Sequence, residues 1–586
     1  MGVSNRILVL DGASRPGRDV VGGKGASISE MRALGLPVPP AFVLPIAECR
    51  RFHAADERLE PQVWDAVLGG IEYLEGETGR RFGDPASPLL VSVRSGAAVS
   101  MPGMMDTILN LGMTDAVERG LAALSGDPGF ARETHVRFCA EFGDTVLGAD
   151  VDPAGDDATA DTVRAAVLAD TGRPVPADPH EQLRAAILAV FRSWSSRRAI
   201  AYRRHWRIAE EGGTAVVVQA MVFGNLGQQS GTGVLFTRDP LSGALSPYGE
   251  WLPGGQGEDV VSGTHDPLPL ASLAESLPGV HGQLLEAAEL LERHHADVLD
   301  IEFTVERERL YLLQTRVAKR SPLAAVRFAA DLVADGMIDP GVALGRVTPE
   351  QVQSVLSPTL RESAATGGAT LARGVPACPG VASGTVAHDT AAAEDADGPV
   401  VLARPTTSPE DVAAMIAAVG VVTERGGSTS HAAVVTRALG RPSVVGVGDG
   451  ETAGWAGREV TIDGTAGVVY DGILPTRTTR AGDVPGLADL IAWARERVQI
   501  TLAAEHPRVL DLDAAGLRLE PERRSDPAAL ARAMCGAAAI SGSVLGSAEG
   551  AQAAVRCGVP VIVPLPGQRE EVLLLRLAQA GTGDMR

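Results

Sequence analysis

The period of the hydrophobic pattern changes repeatedly along this chain. VSVR (91–94) alternates as a half-buried strand does, whereas GASISEMRALG (25–35) places Ile28, Met31 and Leu34 at helical spacing before a glycine suited to a helix C-terminus. Short strand-like and helix-like runs recur in this way throughout the chain. The pattern predicts a multidomain protein of α/β and α+β classes.

Four blocks follow from the changes in pattern and composition. Residues 1–340 mix strand-like and helix-like runs, and 341–373 end in SAATGGATLARG, which is typical of a linker. Residues 374–475 alternate short strands with helices and predict a compact α/β domain. Residues 476–586 hold short apolar runs between helices and predict a small α/β domain of unassigned role.

Composition narrows the classes of protein. The 586 residues carry a net charge of −21, which argues against nucleic acid as a partner. We expect no signal peptide and no membrane-spanning segment, since no apolar run of ~18 residues occurs. The cysteines are scattered and form no CxxC pair, which predicts free thiols, a buried one at Cys557 included, in a cytoplasmic protein. They are Cys49, Cys139, Cys378, Cys535 and Cys557.

Two N-terminal segments have the composition of phosphate-binding loops. VGGKGAS (21–27) sets glycines and Lys24 before a helix, although Gly23 stands where the Walker pattern requires lysine. Arg94 precedes a flexible loop that could present backbone N–H groups to phosphates. The alternatives are a plain turn before a helix and a structural loop whose methionines pack in the core. The candidate loop residues are Ser100, Met101, Pro102, Gly103 and Met104.

A third segment, TAVVVQAMVFGN (214–225), is an apolar strand that runs into a loop. The backbone of such a strand edge can hydrogen-bond a purine, which makes Gln219, Met221 and Val222 candidates. Thr232, in the following SGTG, is a candidate for a phosphate loop.

DIEFTVERERLYLLQTR (300–316) predicts a hairpin. A turn near Glu308 would pair Glu302 with Gln314 and Asp300 with Arg316, all on one face, with Ile301, Phe303, Tyr311 and Leu313 on the other. A carboxylate beside an amide oxygen suits Mg²⁺, which takes few protein ligands together with nucleotide phosphates. The alternative is a solvated polar face, and a slip of one residue would break the pairing.

GVVTE (420–424), RGGSTS and HAAVVTRALG (431–440) predict a strand, a turn and a helix. His431 then lies at the N-terminus of the helix, where free N–H groups and the helix dipole stabilise an anion. Neutral imidazole is a nucleophile near neutral pH, so the position suits a phosphohistidine. The alternative is a histidine that only hydrogen-bonds the backbone.

Taken together, these segments resemble the pyruvate phosphate dikinase family over about residues 1–475. The resemblance rests on motifs in a fixed order: GGKGASISEM, SVRSGAAVSMPGMMDT, VQAMVFGN, SGTGVLFTRDP, GEDVVSG, DIEFTVE with LQTR, PACPGVASG, TSPEDVAAM and ERGGSTSHAAVV. It implies an ATP-grasp domain over 1–340 and a swivelling phosphohistidine domain over 374–475.

The resemblance also implies roles for single residues. Lys24, Arg94 and Arg316 match contacts to the ATP phosphates, and Asp300 flanks them. Glu302 and Gln314 match ligands of the nucleotide and of Mg²⁺. His431 matches the histidine that takes the β-phosphoryl group of ATP and carries it. Thr429 matches a threonine that a regulatory kinase modifies in plant members, which makes it a candidate phosphosite.

The resemblance leaves the phosphoryl acceptor open. In this family the site for pyruvate or phosphoenolpyruvate lies on a C-terminal TIM barrel of roughly 250 residues, and 476–586 match none of its catalytic motifs. The tail is therefore a small α/β domain or a remnant of a barrel. Three hypotheses follow: a separate barrel protein supplies the pyruvate site, another small acceptor such as an antibiotic is used, or the chain is a non-catalytic nucleotide-binding regulator. Inorganic phosphate is a further expected partner.

Overall fold

The computed structural model describes most of the chain. The described residues are 6–98, 107–151, 158–205, 212–261, 267–356, 359–360, 368–394, 398–407, 411–439, 441–477, 479–512, 515, 517, 527–565 and 568–581. The predicted loop residues 100–104 lie outside these ranges. Within the described part, no helix is long and apolar enough to cross a membrane.

The first sheet is antiparallel, in the order β1-β2-β7-β5-β6. Helices pack on both of its faces, and one face buries a cluster that includes Phe42, Phe52, Phe138 and Phe191. Its region contains strands β1 (Leu8–Val9), β2 (Ala41–Leu44), β3 (Arg81–Phe82), β4 (Pro88–Leu89), β5 (Val91–Gly96), β6 (Thr107–Leu111) and β7 (Ala215–Ala220). The helices are α1 (Arg18–Ala33), α2 (Ile46–Ala54), α3 (Pro61–Thr78), α4 (Asp115–Ser125), α5 (Pro128–Phe142, continued by the π-helical turn Gly143–Leu147), α6 (Ala160–Thr171), α7 (Pro179–Ser193) and α8 (Arg197–His205).

The second sheet is also antiparallel, in the order β10-β9-β8-β11-β12. Both sheets contribute to one hydrophobic core, in which Val43 and Val217 of the first sheet join Trp251 and Phe303 of the second. The strands are β8 (Gly231–Phe236), β9 (Tyr248–Pro253), β10 (Leu268–Pro269), β11 (Leu299–Glu306) and β12 (Arg309–Val317). The helices are α9 (Gly257–Val261), α10 (Ala271–Ser276), α11 (Pro278–His295) and α12 (Pro322–Ala334).

The third unit is an eight-stranded mixed sheet in the order β14-β21-β20-β16-β17-β18-β19-β15. The strands before and after this unit pair with each other, Thr359 with Arg477 and Leu360 with Thr476, so the chain enters and leaves it through a two-stranded ribbon. The strands are β13 (Thr359–Leu360), β14 (Thr370–Arg373), β15 (Val375–Cys378), β16 (Val381–Ala387), β17 (Val400–Arg404), β18 (Gly420–Thr423), β19 (Ser443–Val445), β20 (Glu459–Asp463), β21 (Val468–Asp471) and β22 (Thr476–Arg477). The helices from 340 to 439 are α13 (Pro340–Arg346), α14 (Pro349–Val355), α15 (Thr390–Glu394), α16 (Val412–Ala417) and α17 (His431–Leu439).

The C-terminal region forms a small parallel sheet in the order β23-β26-β25-β24, which agrees with the predicted α/β class. Its strands are β23 (Thr501–Leu502), β24 (Val509–Asp511), β25 (Ala539–Ser541) and β26 (Val561–Ile562). Its helices are α18 (Leu487–Arg497), α19 (Pro527–Met534), α20 (Ala548–Arg556) and α21 (Glu570–Ala580), with 3₁₀ turns at Ala481–Asp483 and Ser543–Gly546.

The linker prediction for 341–373 is wrong in its first part. Helices α13 and α14 fill residues 340–355 and bury Leu344 and Val352 against α12, α18 and α21. Thr348 caps α14 through its side chain, and Gln351 closes the capping box. This capping box and the apolar spacing were the sequence signals for helix here. Residues after 476 therefore share a core with the end of the first block.

The prediction of free cysteines is wrong for two of the five, because Cys535 and Cys557 form a disulfide. Each follows the end of a helix, α19 or α20, and these helices pack side by side. A separation of 22 residues without a CxxC motif gives no signal of this pairing. Cys49, Cys139 and Cys378 are buried thiols.

Loss of this disulfide should destabilise the C-terminal sheet. Closing a loop of 22 residues stabilises the native state by about 3 kcal/mol, mainly through the unfolded state. We expect reductant to speed amide hydrogen exchange in Ala539–Ser541 by roughly 100-fold. A Cys535→Ala variant should exchange fast with or without reductant, whereas slow exchange in that variant would contradict the prediction.

Candidate phosphoryl-transfer site

A kink at Gly22, inside α1, lies against the end of β5 because two glycines remove the side chains that would separate the two segments. Gly22 has a left-handed backbone (φ 70°), and a Cβ there would come within 1.8 Å of the Gly96 carbonyl oxygen. The Gly23 N–H donates to the Ala97 carbonyl (2.9 Å). Lys24, the next residue, is thereby held at the junction of the two sheets.

Arg94 of β5 reaches across this junction to β11 and β12. Its Nη2 donates to Glu302 Oε2 (3.4 Å) and to Gln314 Oε1 (3.5 Å). On the neighbouring pair of residues, Arg316 Nε donates to Asp300 Oδ2 (2.7 Å). The predicted phosphate and metal residues therefore form one cluster with Lys24.

The electrostatics of the cluster favour an anionic ligand. Burial, with the charges of Arg94 and Arg316, lowers the pKa of Lys24 to about 7, and Glu302 opposes this shift. Burial alone would raise the pKa of Glu302, yet the cations, Arg316 first, hold it below its usual value. The Asp300 carboxylate raises the pKa of Arg316. Arg94 and Arg316 balance the charges of Glu302 and Asp300, and a bound phosphate would favour the protonated, positively charged form of Lys24.

The hairpin pairs as predicted at its base. Glu302 faces Gln314 and Asp300 faces Arg316. The register shifts by one residue between Glu302 and Phe303, so the prediction that Tyr311 and Leu313 share the face of Ile301 and Phe303 is wrong. Leu310 and Leu312 are buried in that core instead.

A divalent cation fits the Glu302–Gln314 pair. Their side-chain oxygens both approach one nitrogen of Arg94, at 3.4 Å and 3.5 Å, so the two oxygens face a common point. Oxygen ligands of this kind, completed by nucleotide phosphates, suit Mg²⁺. Among the described residues, no group of three or more histidine, cysteine or carboxylate side chains could hold a metal ion. A metal ion at Glu302 and Gln314 would therefore take further ligands from nucleotide phosphates.

Two other predicted contacts are corrected. Gln219 lies in β7, which pairs with β2 and β5, so the strand-edge interpretation is wrong for this residue. Its side chain donates to the Pro39 carbonyl (3.1 Å). Thr232 lies inside β8 and bonds the Phe303 carbonyl (3.0 Å), so it is not in a loop. An apolar run alone does not separate a central strand from an edge strand.

Met221 and Val222 follow the end of β7, and the purine hypothesis now rests on them. The Met221 N–H donates to the Leu90 carbonyl (2.9 Å), and the N–H of Phe223, two residues later, donates to Glu306 Oε2 (2.8 Å).

His431 is the first residue of α17, as predicted, at the carboxyl end of the parallel strands β17 and β18. Its Nδ1 lies 3.2 Å from Thr407 Oγ1. Its Nε2 is buried without a hydrogen-bond partner among the described residues. The tautomer that donates Nδ1–H to Thr407 leaves the Nε2 lone pair free for nucleophilic attack. The motif TSPEDVAAM begins at Thr407, but the sequence gives no signal of this contact with His431.

The pH profile of His431 follows from its surroundings. Burial lowers the pKa of His431, and the Asp411 carboxylate partly opposes this. We therefore expect the single-turnover rate of His431 phosphorylation to fall at acid pH, where the imidazole becomes protonated, with a midpoint below the usual histidine value. Asp411→Asn should move the midpoint lower still. A midpoint above the usual histidine value would contradict this environment.

A contact that sequence analysis missed holds the turn before His431 on the second sheet. Glu250, a buried residue of β9, accepts from Ser428 N–H (3.1 Å), Ser428 Oγ–H (2.5 Å) and Thr429 Oγ–H (2.6 Å). A Cβ on Gly427 would lie 2.9 Å from the same carboxylate. No motif links residues 178 positions apart, so only the fold reveals this contact.

Comparison with known proteins identifies both halves of this arrangement. Residues 56–270 match the model of the pyruvate phosphate dikinase AMP/ATP-binding domain. Residues 396–467 match the mobile domain of PEP-utilising enzymes. The chain belongs to the pyruvate phosphate dikinase family. Membership in that family accounts for the order of the sequence motifs and for the mixed α/β multidomain fold.

Named relatives support the same family. Pyruvate, phosphate dikinase 1 of Oryza sativa subsp. japonica is 44% identical over 459 residues, which are 73% of this chain and 48% of the relative. The Clostridium symbiosum enzyme is 40% identical over 499 residues, 78% of this chain and 57% of the relative. The chain thus spans about half the length of the pyruvate phosphate dikinases that it matches.

Proposed function

We propose that this chain is an ATP-dependent phosphotransferase that moves the β-phosphoryl group of ATP to His431 and onward to pyruvate. Nε2 bonds the β-phosphorus as the bond from that phosphorus to the AMP oxygen breaks, so AMP leaves and the β- and γ-phosphates stay together on His431. The γ-phosphoryl group then passes to inorganic phosphate or water, and the β-phosphoryl group remains on Nε2. In the Mg²⁺-loaded site, Glu302 and Gln314 would hold the ion, which neutralises charge on the phosphates. Lys24, Arg94 and Arg316 would contact the transferring group.

One observation carries the proposal: the turn before His431 is bound on the face of the sheet that holds the phosphate cluster. Glu250 pairs with Val234, and Val234 pairs with Glu302. Paired residues of antiparallel strands share a face, and neighbouring strands lie ~4.8 Å apart. Glu250 and Glu302 are therefore ~10 Å apart on one face. This distance supports direct transfer from a nucleotide held by Glu302 to His431.

The assignment of pyruvate as the acceptor comes from the relatives' name. Transfer to pyruvate requires that the domain carrying His431 dock at a second position, away from the nucleotide. The ribbon formed by β13 and β22 is the segment about which we propose that this unit swings. Another small acceptor is the second candidate, because the described residues within 476–586 form an open four-stranded sheet where the family's barrel is expected. Adding pyruvate to the ³²P-labelled chain tests this: release of ³²P-phosphoenolpyruvate supports pyruvate as the acceptor of this chain, whereas retained label supports either the other acceptor or a pyruvate site on a separate barrel protein.

Glu250 should control docking without changing nucleotide binding. Three hydrogen bonds to one carboxylate are lost in Glu250→Ala, and each bond to a charged group is worth about 1.5–3 kcal/mol. We expect His431 labelling to slow by ~10- to 100-fold while the Kd for ATP stays within twofold. Thr429→Asp should act alike, because its carboxylate would meet that of Glu250, and this is how phosphorylation of Thr429 would inhibit the chain.

The matched control is Glu286→Ala, which removes an exposed carboxylate from α11. Its labelling rate should equal that of the wild type. Equal rates for Glu250→Ala and Glu286→Ala would show that the docked contact plays no part in transfer.

A further inference from the structure

The C-terminal region contains a cavity that the proposed function does not use. It has a volume of about 320 Å³ and lies between α14 and α21. Its polar lining includes Glu350, Gln568, Arg569 and Arg576. A volume near 300 Å³ is at the lower end of the range for small-molecule sites.

The topology places this cavity where parallel sheets bind ligands. The loops that follow the carboxyl ends of β25 and β26 supply Gly546 and Gln568 to its wall. Gln568 also joins the two loops, since its Nε2 donates to the Gly542 carbonyl (3.2 Å). In open α/β sheets, ligands bind in the crevice outside these carboxyl ends.

The charges of the wall favour an anion. Arg576 donates to Glu350 (2.9 Å) through Nη2, while its Nε is buried without a hydrogen-bond partner among the described residues. Arg569, half-buried on the same wall, forms no ion pair within the part of the chain that the structure describes. Glu350 is 70% exposed, so water weakens its pairing with Arg576.

These groups leave one unmatched positive charge in a chain whose net charge is −21. An unpartnered guanidinium nitrogen in a cavity calls for an acceptor, and guanidinium groups bind carboxylate and phosphate with paired hydrogen bonds. We propose that the cavity between α14 and α21 binds a small organic anion with a carboxylate or phosphate group, held by Arg569 and Arg576. This site is independent of phosphoryl transfer to His431.

Isothermal titration calorimetry of the full chain tests the proposal, with a non-hydrolysable ATP analogue present to fill the nucleotide site. Phosphoenolpyruvate carries both groups, and inorganic phosphate and pyruvate each carry one. We expect phosphoenolpyruvate to bind with one site per chain. If inorganic phosphate binds tightly and pyruvate does not, the phosphate group determines binding. If pyruvate binds tightly and inorganic phosphate does not, the carboxylate determines binding.

Three variants separate a ligand site from a structural contact. Arg569→Gln leaves the Arg576–Glu350 pair intact and should weaken binding about tenfold. Glu350→Gln frees Arg576 and should tighten binding severalfold, which a purely structural role would not produce. Arg556→Gln alters an exposed arginine of α20 and should change nothing. Failure of all three probes to bind, or equal binding by wild type and Arg569→Gln, would overturn the proposal.

Discussion

A chain carrying His431→Asn is expected to take up no acid-labile label from ATP labelled at the β-phosphate. Asparagine keeps the polarity and much of the size of the side chain but has no nucleophilic nitrogen. His431 lies outside the phosphate cluster, so the Kd for ATP should match that of the wild type. The measurement is phosphoprotein recovered at neutral or alkaline pH after a single turnover.

The matched control is His388→Asn, because His388 is half-buried on the same sheet and its Nδ1 bonds the Ala403 carbonyl (3.0 Å). That variant should be labelled at the wild-type rate. Label in His431→Asn at the level of His388→Asn would show that another residue is the carrier.

Glu302→Ala should slow labelling by about 100- to 1,000-fold, the loss typical of one electrostatic group at a reacting centre. The variant removes one of the two oxygens that converge on Arg94 and leaves Arg94 and Arg316 with less counter-charge. It also removes the group that opposes the depressed pKa of Lys24, which should fall below about 7. Raising the Mg²⁺ concentration should recover part of the rate.

Glu302→Gln tests the metal assignment, because it keeps an oxygen ligand and removes the charge. Its rate should lie between those of the wild type and Glu302→Ala. Glu308→Gln, at the exposed turn of the same hairpin, is the matched control and should leave the rate unchanged. Loss of activity in Glu308→Gln would indicate a fault in the hairpin rather than in the metal site.

The sequence predicted the local parts of the site well, because local rules govern them. A helix beginning at His431 follows from its turn and apolar run, and the Glu302–Gln314 pairing follows from the two-residue period of strands. The two-residue period of strands does not predict the bulge after Glu302, because the bulge depends on the packing of Leu310 and Leu312 in the core that the two sheets share. That packing reversed the faces of Tyr311 and Leu313.

Long-range contacts could not be read from the sequence. The sequence around Glu250 predicts only a strand. The role of Glu250 follows from the contact between β9 and the turn at Ser428, which the folded structure alone shows. Gln219 has the same polarity as an edge residue, yet β2 and β5 flank its strand. The Cys535–Cys557 bond likewise depends on how two helices pack.

The most direct test of phosphoryl transfer to His431 compares two labelled nucleotides. The full wild-type chain is mixed with Mg²⁺, inorganic phosphate and ATP labelled at either the β- or the γ-phosphate, quenched after one turnover and mapped by peptide mass spectrometry. We expect the β-label to remain on the peptide that contains His431, while the γ-label leaves the protein and AMP forms in an amount equal to the bound β-label. Unlabelled protein with β-labelled ATP, or stable label on any other residue, would contradict it.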